Sequence, residues 1–350
     1  MPSFARRAAS APHLTRAATR LAVAIIAAAV CGCSPDHTLS SELSPPGLYI
    51  YVVNARTSDV QMIDTATMAP VGAPIGVGAF PSDIAITPDG RRAYVLSPTD
   101  DNLTVIDTRS HRRIGQPIPV GHYPFGVVVS PDGRRLYVTS GSHDVRAYDT
   151  GTLRTVGGPL RTGDAPGGLG ITADGAQLYA TSQYQKDVRV IDTRAWEVID
   201  DPIPAGDAPT QVALSPDGAR AYVTNVYKNT VTVIDTATTE QVGEPIEVGE
   251  YPCALAVSPD GQHVFVANQN SADVSVIDTR TLHVMAEIKT GAAPTSMAAA
   301  PDWHRLYVAN MYSGTLSVID TDALRTVATT PVIGDNPRGI AVGAVRDTPR

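Results

Sequence analysis

One step recurs along this chain at nearly constant intervals. An alternating apolar run ends in Ile-Asp or Tyr-Asp at Asp64, Asp107, Asp149, Asp192, Asp235, Asp278 and Asp320, with spacings of 43, 42, 43, 43, 43 and 42 residues. A second marker, Gly-x-x-Pro, begins at Gly78, Gly121, Gly163, Gly206, Gly249, Gly291 and Gly334 and holds the same phase. A third, Pro-Asp-Gly or a variant, stands at Pro88, Pro131, Ala173, Pro216, Pro259 and Pro301, the last as Pro301-Asp302-Trp303. Self-similarity at a fixed period of roughly 20 to 50 residues marks repeat architectures, in which one unit leaves its apolar faces open and its neighbours cover them.

Within a unit the local signals are those of strands. Residues Val212–Ser215, Ala221–Asn225, Thr230–Asp235 and Glu240–Val248 form four short runs, with period-two alternation such as Val231-x-Val233-x-Asp235 and many β-branched residues. The intervening Pro216-Asp217-Gly218 supplies a turn whose glycine tolerates positive φ and whose Asp side chain can bond back to the backbone. Glycine (29) and proline (28) are too frequent for a helical bundle and suit many short strands. The reading is all-β: seven four-stranded antiparallel meanders packed around an axis as a seven-bladed β-propeller over residues 48–343, with a short tail at 344–350. The first complete element, Leu48–Val53, matches the second strand of a unit. Its missing innermost strand is therefore expected from Gly339–Val342, so that the C-terminal strand joins the N-terminal blade and closes the ring.

The second strands read Tyr222-Val223-Thr224-Asn225, with related forms at Tyr51-Val52-Val53-Asn54, Tyr137-Val138-Thr139-Ser140, Phe265-Val266-Ala267-Asn268 and Tyr307-Val308-Ala309-Asn310. This pattern resembles the YVTN family of β-propeller repeats over about residues 49–343, and lacks the Gly-His and Trp-Asp signatures of WD40 repeats. The resemblance implies a family that includes lactonases and haem-d1-binding relatives, whose sites are built by loops on one face.

Repetition separates scaffold from site. The column Tyr94, Tyr137, Tyr179, Tyr222 and Tyr307 reads as packing between blades. Seven equivalent aspartates spread around a ring cannot converge on one substrate and read as turn caps; the Asn54, Asn225, Asn268 and Asn310 column also reads as turn chemistry. Function belongs where the repeat varies, on the face that carries the loop leaving the fourth strand and the loop between the second and third. The residue after each proline there runs Ser82, Phe125, Gly167, Thr210, Cys253, Thr295 and Arg338, expected near the mouth of the central channel.

On that face the candidate ligand-binding residues are His122, Tyr123, Asp164, Tyr184, Asp207, Tyr227, Glu250, Tyr251, Tyr312 and Arg338, with His143, Lys186 and Lys228 beside them. Carboxylates suit hard cations, so Asp164, Asp207 and Glu250 are a candidate site for a divalent cation such as Ca²⁺, against the alternative of a solvated acidic rim. Should the face be catalytic, the candidates are His122, Glu250 and Arg338. Cys253 reads as a small buried side chain; its alternative is a nucleophile paired with His122. HExxH, Walker A, Gly-x-Ser-x-Gly and CxxCH motifs are absent from the sequence, and no cofactor is expected.

The N-terminus gives an address. Arg6, Arg7, Arg16 and Arg20 precede the apolar run Leu21–Val30, the pattern of a signal peptide over residues 1–32, and ten apolar residues are short of the roughly 20 that span a bilayer. Gly32-Cys33 resembles a lipobox, so Cys33 is the expected lipidation site, ahead of a Ser/Pro-rich tether over 33–47. Removing the leader leaves 23 basic against 35 acidic residues, a net charge of −12 that disfavours both nucleic acid and anionic lipid headgroups as partners. It also leaves Cys253 as the one thiol outside the leader and lipidation site, without a disulfide partner. The expectation is an exported bacterial monomer, anchored by lipid at the outer side of the cytoplasmic membrane or in the cell envelope. It would act as a scaffold for a protein, glycan or small molecule, with a lactonase-like or metal-dependent hydrolase as the alternative.

Overall fold

The computed structural model describes residues 47–344. The leader, the lipidation site Cys33, nearly all of the tether and the tail after Ala344 lie outside the described residues. Among the described residues there are seven antiparallel sheets and a single 3₁₀ turn, Pro98–Asp100. The innermost strands, Asp83–Ile86, Pro124–Val129, Pro166–Ile171, Pro209–Leu214, Pro252–Val257, Pro294–Ala299 and Pro337–Ala344, follow one another around the axis, the last lying beside both the first and the sixth. The sheets are numbered here as blades 1 to 7, blade 1 being that of Leu48–Asn54.

Closure follows the expected route, with a longer strand. Pro337–Ala344 pairs antiparallel with Leu48–Asn54 from Leu48 opposite Ala344 to Asn54 opposite Pro337, with an irregularity at Val53/Asn54. The outermost strand differs from expectation in blades 2 and 5. The run expected over Glu240–Val248 is interrupted, leaving only Glu240–Gln241 and Ile246–Glu247, and Arg112–Arg113 and Ile118–Pro119 repeat the break. Gly243 and Gly115 adopt φ of 67° and 65° there; Gly72 and Gly157 do the same in blades 1 and 3, where the outer strand shifts register but stays continuous, so the four share one irregularity that parts the ladder only in blades 2 and 5.

The second and third strands are buried on both faces rather than one, because every blade is sandwiched between two others. The apolar core is accordingly divided into seven clusters, one at each blade-to-blade interface. Tyr179, Val188 and Val190 of blade 4, for instance, meet Ala221, Val223 and Ile234 of blade 5. The tyrosine column sits inside these interfaces, with Tyr51, Tyr94, Tyr179, Tyr222 and Tyr307 almost wholly shielded from solvent. The aspartate column caps turns: Asp235 Oδ1 accepts the N–H groups of Ala237 and Thr238, and Asp278 Oδ1 those of Arg280 and Thr281. These bonds stabilise the carboxylate and hold both side chains below the usual carboxylate pKa.

Candidate functional site at the mouth of the central channel

In six blades the two loops of the variable face are tied together through backbone, and in blade 2 Ala79 N–H donates instead to Asp100 Oδ2 at 2.6 Å. Tyr227 N–H donates to Asp207 O at 3.4 Å, Asn270 N–H to Glu250 O at 3.1 Å, and Met311 N–H to Ala293 O at 2.8 Å. The residue before every Gly-x-x-Pro proline has positive φ, from 46° at Tyr123 to 61° at Asn336. Because this backbone recurs in all seven blades it is scaffold geometry. Its consequence is positional, since in six blades the proline starts the innermost strand, in blade 2 it lies two residues ahead of it, and the next side chain is delivered to the channel.

Six of the seven expected post-proline residues, Ser82, Phe125, Thr210, Cys253, Thr295 and Arg338, line one cavity of about 490 Å³; Gly167 does not. Tyr227, Tyr251 and Tyr312, from the loops of blades 5, 6 and 7, line it as well. Tyr227 and Tyr312 keep 74% and 73% of their surface exposed, against 37% for Tyr251. Partial burial, then the neighbouring Tyr227, Cys253 and Tyr312, raise the Tyr251 phenol above its ordinary pKa. The Arg338 guanidinium lies 5.1 Å from the Phe80 ring centroid, and its Nε donates to Asn336 Oδ1 at 3.0 Å.

Beneath this mouth most of the side chains along the channel are apolar, Ile84, Val127, Leu169, Val212 and Leu255 among them, and Asp83, Gln211 and Ser296 belong to both compartments. Asp83 is the residue that the sequence pattern did not single out. Its Oδ1 accepts Ile84 N–H at 2.8 Å and its Oδ2 accepts Val127 N–H of the adjacent blade at 3.0 Å. Burial pushes its pKa up to about 6, and those two bonds oppose the rise. A signal did exist. The second residue after each proline runs Asp83, Gly126, Gly168, Gln211, Ala254, Ser296 and Gly339, and only blade 2 places a charge there.

The remaining candidates lie outside the cavity lining and are engaged elsewhere. His122 Nδ1 is 3.1 Å from Asp101 Oδ2, while Asp101 Oδ1 accepts Tyr123 N–H at 2.7 Å. Asp164 stands 3.2 Å from His143 Nδ1. Asp207 is held between Lys186 and Lys228, the hydrogen bond from Lys186 being the first cause of its lowered pKa. Tyr184 and Glu250 project into solvent, with Glu250 anchored through its N–H to Ser271 Oγ at 2.6 Å. Among the described residues no three His, Cys, Asp or Glu side chains cluster as a metal would require. The convergence of Asp164, Asp207 and Glu250 expected from the sequence is therefore not what the structure brings about: they come from successive blades, and two of the three are already paired with basic side chains. Nor is Cys253 joined to His122, since its Sγ lies 3.2 Å from Pro294 O of the next blade, and burial pushes the thiol up to about 12.

A sequence model of the YNCE-like beta-propeller family matches residues 10–350, and the chain belongs to that family. No curated protein sequence matches it. Among solved structures, Kuenenia stuttgartiensis hydrazine synthase is 24% identical, covers 79% of this chain and 94% of its own, and has a TM-score of 0.71. A functionally unknown protein from Desulfotomaculum acetoxidans has a TM-score of 0.74 at 19% identity, over 85% of this chain and 99% of that one. Apo AztD from Citrobacter koseri has a TM-score of 0.66 at 10% identity, over 86% and 99%. At these identities the likeness is one of fold.

Proposed function

We propose that this protein is an exported, lipid-anchored binding protein that takes a ligand or partner segment into the mouth of its central channel, outside the cytoplasm. The observation that carries the reading is the 490 Å³ cavity itself, where the exposed rings of Tyr227 and Tyr312, the half-buried Tyr251 and the cation of Arg338 surround one opening. Aromatic rings with a polar tip, a few fixed polar groups and concavity are what a binding site needs. The arginine-rich leader followed by Gly32-Cys33 supports the address. A hydrolase using this face would draw on His122, Glu250 and Arg338, of which Arg338 alone lines the cavity.

The test is a thermal-shift screen of the purified protein against amino acids, dicarboxylates, oligosaccharides and short peptides, run beside the Tyr227→Ala/Tyr251→Ala/Tyr312→Ala variant and Arg338→Ala. A ligand at a hundred times its Kd adds about 2.7 kcal/mol, which moves the Tm of a domain of this size by several degrees. A shift lost in both variants supports the cavity. One retained in both would move binding elsewhere, and a panel with no shift would count against a small-ligand role.

A further inference from the structure

The face opposite the cavity is charge-segregated, and we infer that its blade 2–3 sector docks on anionic phospholipid headgroups, turning the cavity away from the membrane. That face carries the turns between first and second strands and those between third and fourth. In blades 2 and 3 these turns and their flanks hold Arg91, Arg92, Arg109, Arg112, Arg113, Arg134, Arg135 and Arg154 against Asp89, Asp107, Asp132 and Asp149. The corresponding segments of blades 5 to 7 reverse the balance, with eight carboxylates from Asp217 to Asp322 against Arg220, Arg280, Arg305 and Arg325. The arginine sector is continuous across the two blades. Arg92 donates through NH1 to Thr150 O at 2.5 Å, and Gly133 packs on the ring of Pro88.

Six of the eight, Arg91, Arg109, Arg112, Arg113, Arg134 and Arg154, are exposed, and among the described residues only Arg91 of these has an ion pair, at 3.9 Å to Asp89. The four aspartates each spend an oxygen on a turn N–H, as Asp132 does on Arg134 N–H at 3.0 Å. An overall negative charge does not forbid the contact. At physiological salt charges are screened beyond about 8 Å, so a bilayer meets the sector it touches and not the acidic blades across the ring.

The choice of a bilayer over another polyanion rests on where the chain enters. Leu48 begins its strand at this same end, its carbonyl accepting Thr65 N–H of a turn at 3.2 Å, and Ala344, its partner, lies against Gly90 in blade 2. The 14 residues from Ser34 to Gly47 thus join the propeller beside the arginine sector, and reach at most ~46 Å. A lipid at Cys33 would hold this face near the membrane; the docking itself needs no acyl group.

The experiment uses the full chain carrying Cys33→Ser, so that no lipid contributes, with vesicles of phosphatidylcholine alone and of phosphatidylcholine mixed with phosphatidylglycerol. The four arginines of the leader favour anionic vesicles in the parent and in every variant alike, so the readout is the difference between each variant and the parent on those vesicles. Binding is expected only to the anionic vesicles, and to vanish at high salt. At about fivefold for each arginine, R109Q/R112Q/R113Q and R91Q/R134Q/R154Q should each weaken it about a hundredfold. R280Q/R325Q, in the acidic sector, should leave it within about twofold. Equal binding to both vesicle types, undiminished binding by the two triple variants, an equal loss in R280Q/R325Q, or capture by heparin without vesicle binding would each overturn the proposal. All substituted side chains are exposed, and unchanged melting curves confirm folding. Mass spectrometry of Cys33 tests the anchor separately, so the two readings can fail independently.

Discussion

Gly334 rests on the side-chain amide of Asn54, and no space remains between them for a Cβ. The relationship is general. Gly206, Gly249 and Gly291 sit on Asn225, Asn268 and Asn310 in the same way, and Gly78, Gly121 and Gly163 sit on Ser97, Ser140 and Ser182. The glycine of Gly-x-x-Pro and the Asn or Ser ending each second strand are thus two sides of one contact, which seats the loop between blades over the hairpin of the blade beside it. The asparagine also secures that hairpin, as when Asn54 Nδ2 donates to Asp59 Oδ1 at 2.9 Å.

Gly334→Ala should therefore destabilise by about 1–3 kcal/mol through overpacking. Asn54→Ala should cost about 1 kcal/mol through the lost hydrogen bond. The double variant should be less destabilised than the two losses added together, because removing the amide makes room for the new methyl. Chemical denaturation of the four proteins measures this coupling, and strict additivity would mean that the contact does not set the glycine requirement.

The scaffold was legible because it repeats. A position occupied seven times by glycine, or six times by tyrosine, announces a shared physical demand, and the structure meets those demands with the contact of glycine on Asn or Ser and the interblade tyrosines. The site was legible in part. Tyr227, Tyr251, Tyr312 and Arg338 were reached by asking where the repeat varies, and they line the cavity. Asp83 escaped because variation was sought at the position directly after the proline, where Arg338 stands, and not one residue further along the strand. The pairing of Asp207 with Lys186 and Lys228 escaped because it joins residues from successive loops whose side-chain directions only the folded ring defines.

The strand that closes the ring should be indispensable. Removing residues 334–350 takes Pro337–Ala344 from the edge of Leu48–Asn54 and uncovers Ile50 and Val52, which pack with Ile340 in the interface between blades 7 and 1. Burial of a single isoleucine contributes about 1.5–3 kcal/mol, and a row of backbone groups loses its partners as well. The truncated chain should melt several degrees lower and less cooperatively, by calorimetry. An unchanged melting temperature would show that blade 1 does not depend on the C-terminal strand.

Cys253 should behave as an inert thiol despite lining the cavity. Burial pushes its pKa up to about 12, and the S–H group has Pro294 O as an acceptor at 3.2 Å. With that pKa only about one molecule in ten thousand carries the thiolate near pH 8, so labelling by a disulfide reagent should be slower than for an exposed cysteine by orders of magnitude. Denaturation should restore ordinary reactivity. Rapid labelling of the folded protein would point instead to an activated cysteine.

Asp83 should impose a pH dependence on stability. Its carboxyl, ordinarily near 3.8, titrates at about 6 in the folded protein because it is buried at the base of the channel mouth. Between those values the folded state holds a proton that the unfolded state has released, so this contribution is full below about pH 4, declines as pH rises to about 6, and is lost above it; a shift of about two units corresponds to at most about 3 kcal/mol. Asp83→Asn has no such titration. Its carboxamide has one acceptor oxygen and turns a donor NH2 toward one of the N–H groups of Ile84 and Val127, each of which a carboxyl oxygen, protonated or not, can accept, a loss of about 1 kcal/mol or more at every pH. The variant should therefore be less stable than the parent near pH 4 and gain on it steadily toward pH 7, with groups common to both proteins cancelling in the difference. Urea denaturation of the pair across that range decides the matter. A difference that does not change with pH would mean that Asp83 titrates normally, and that water reaches the base of the channel mouth freely.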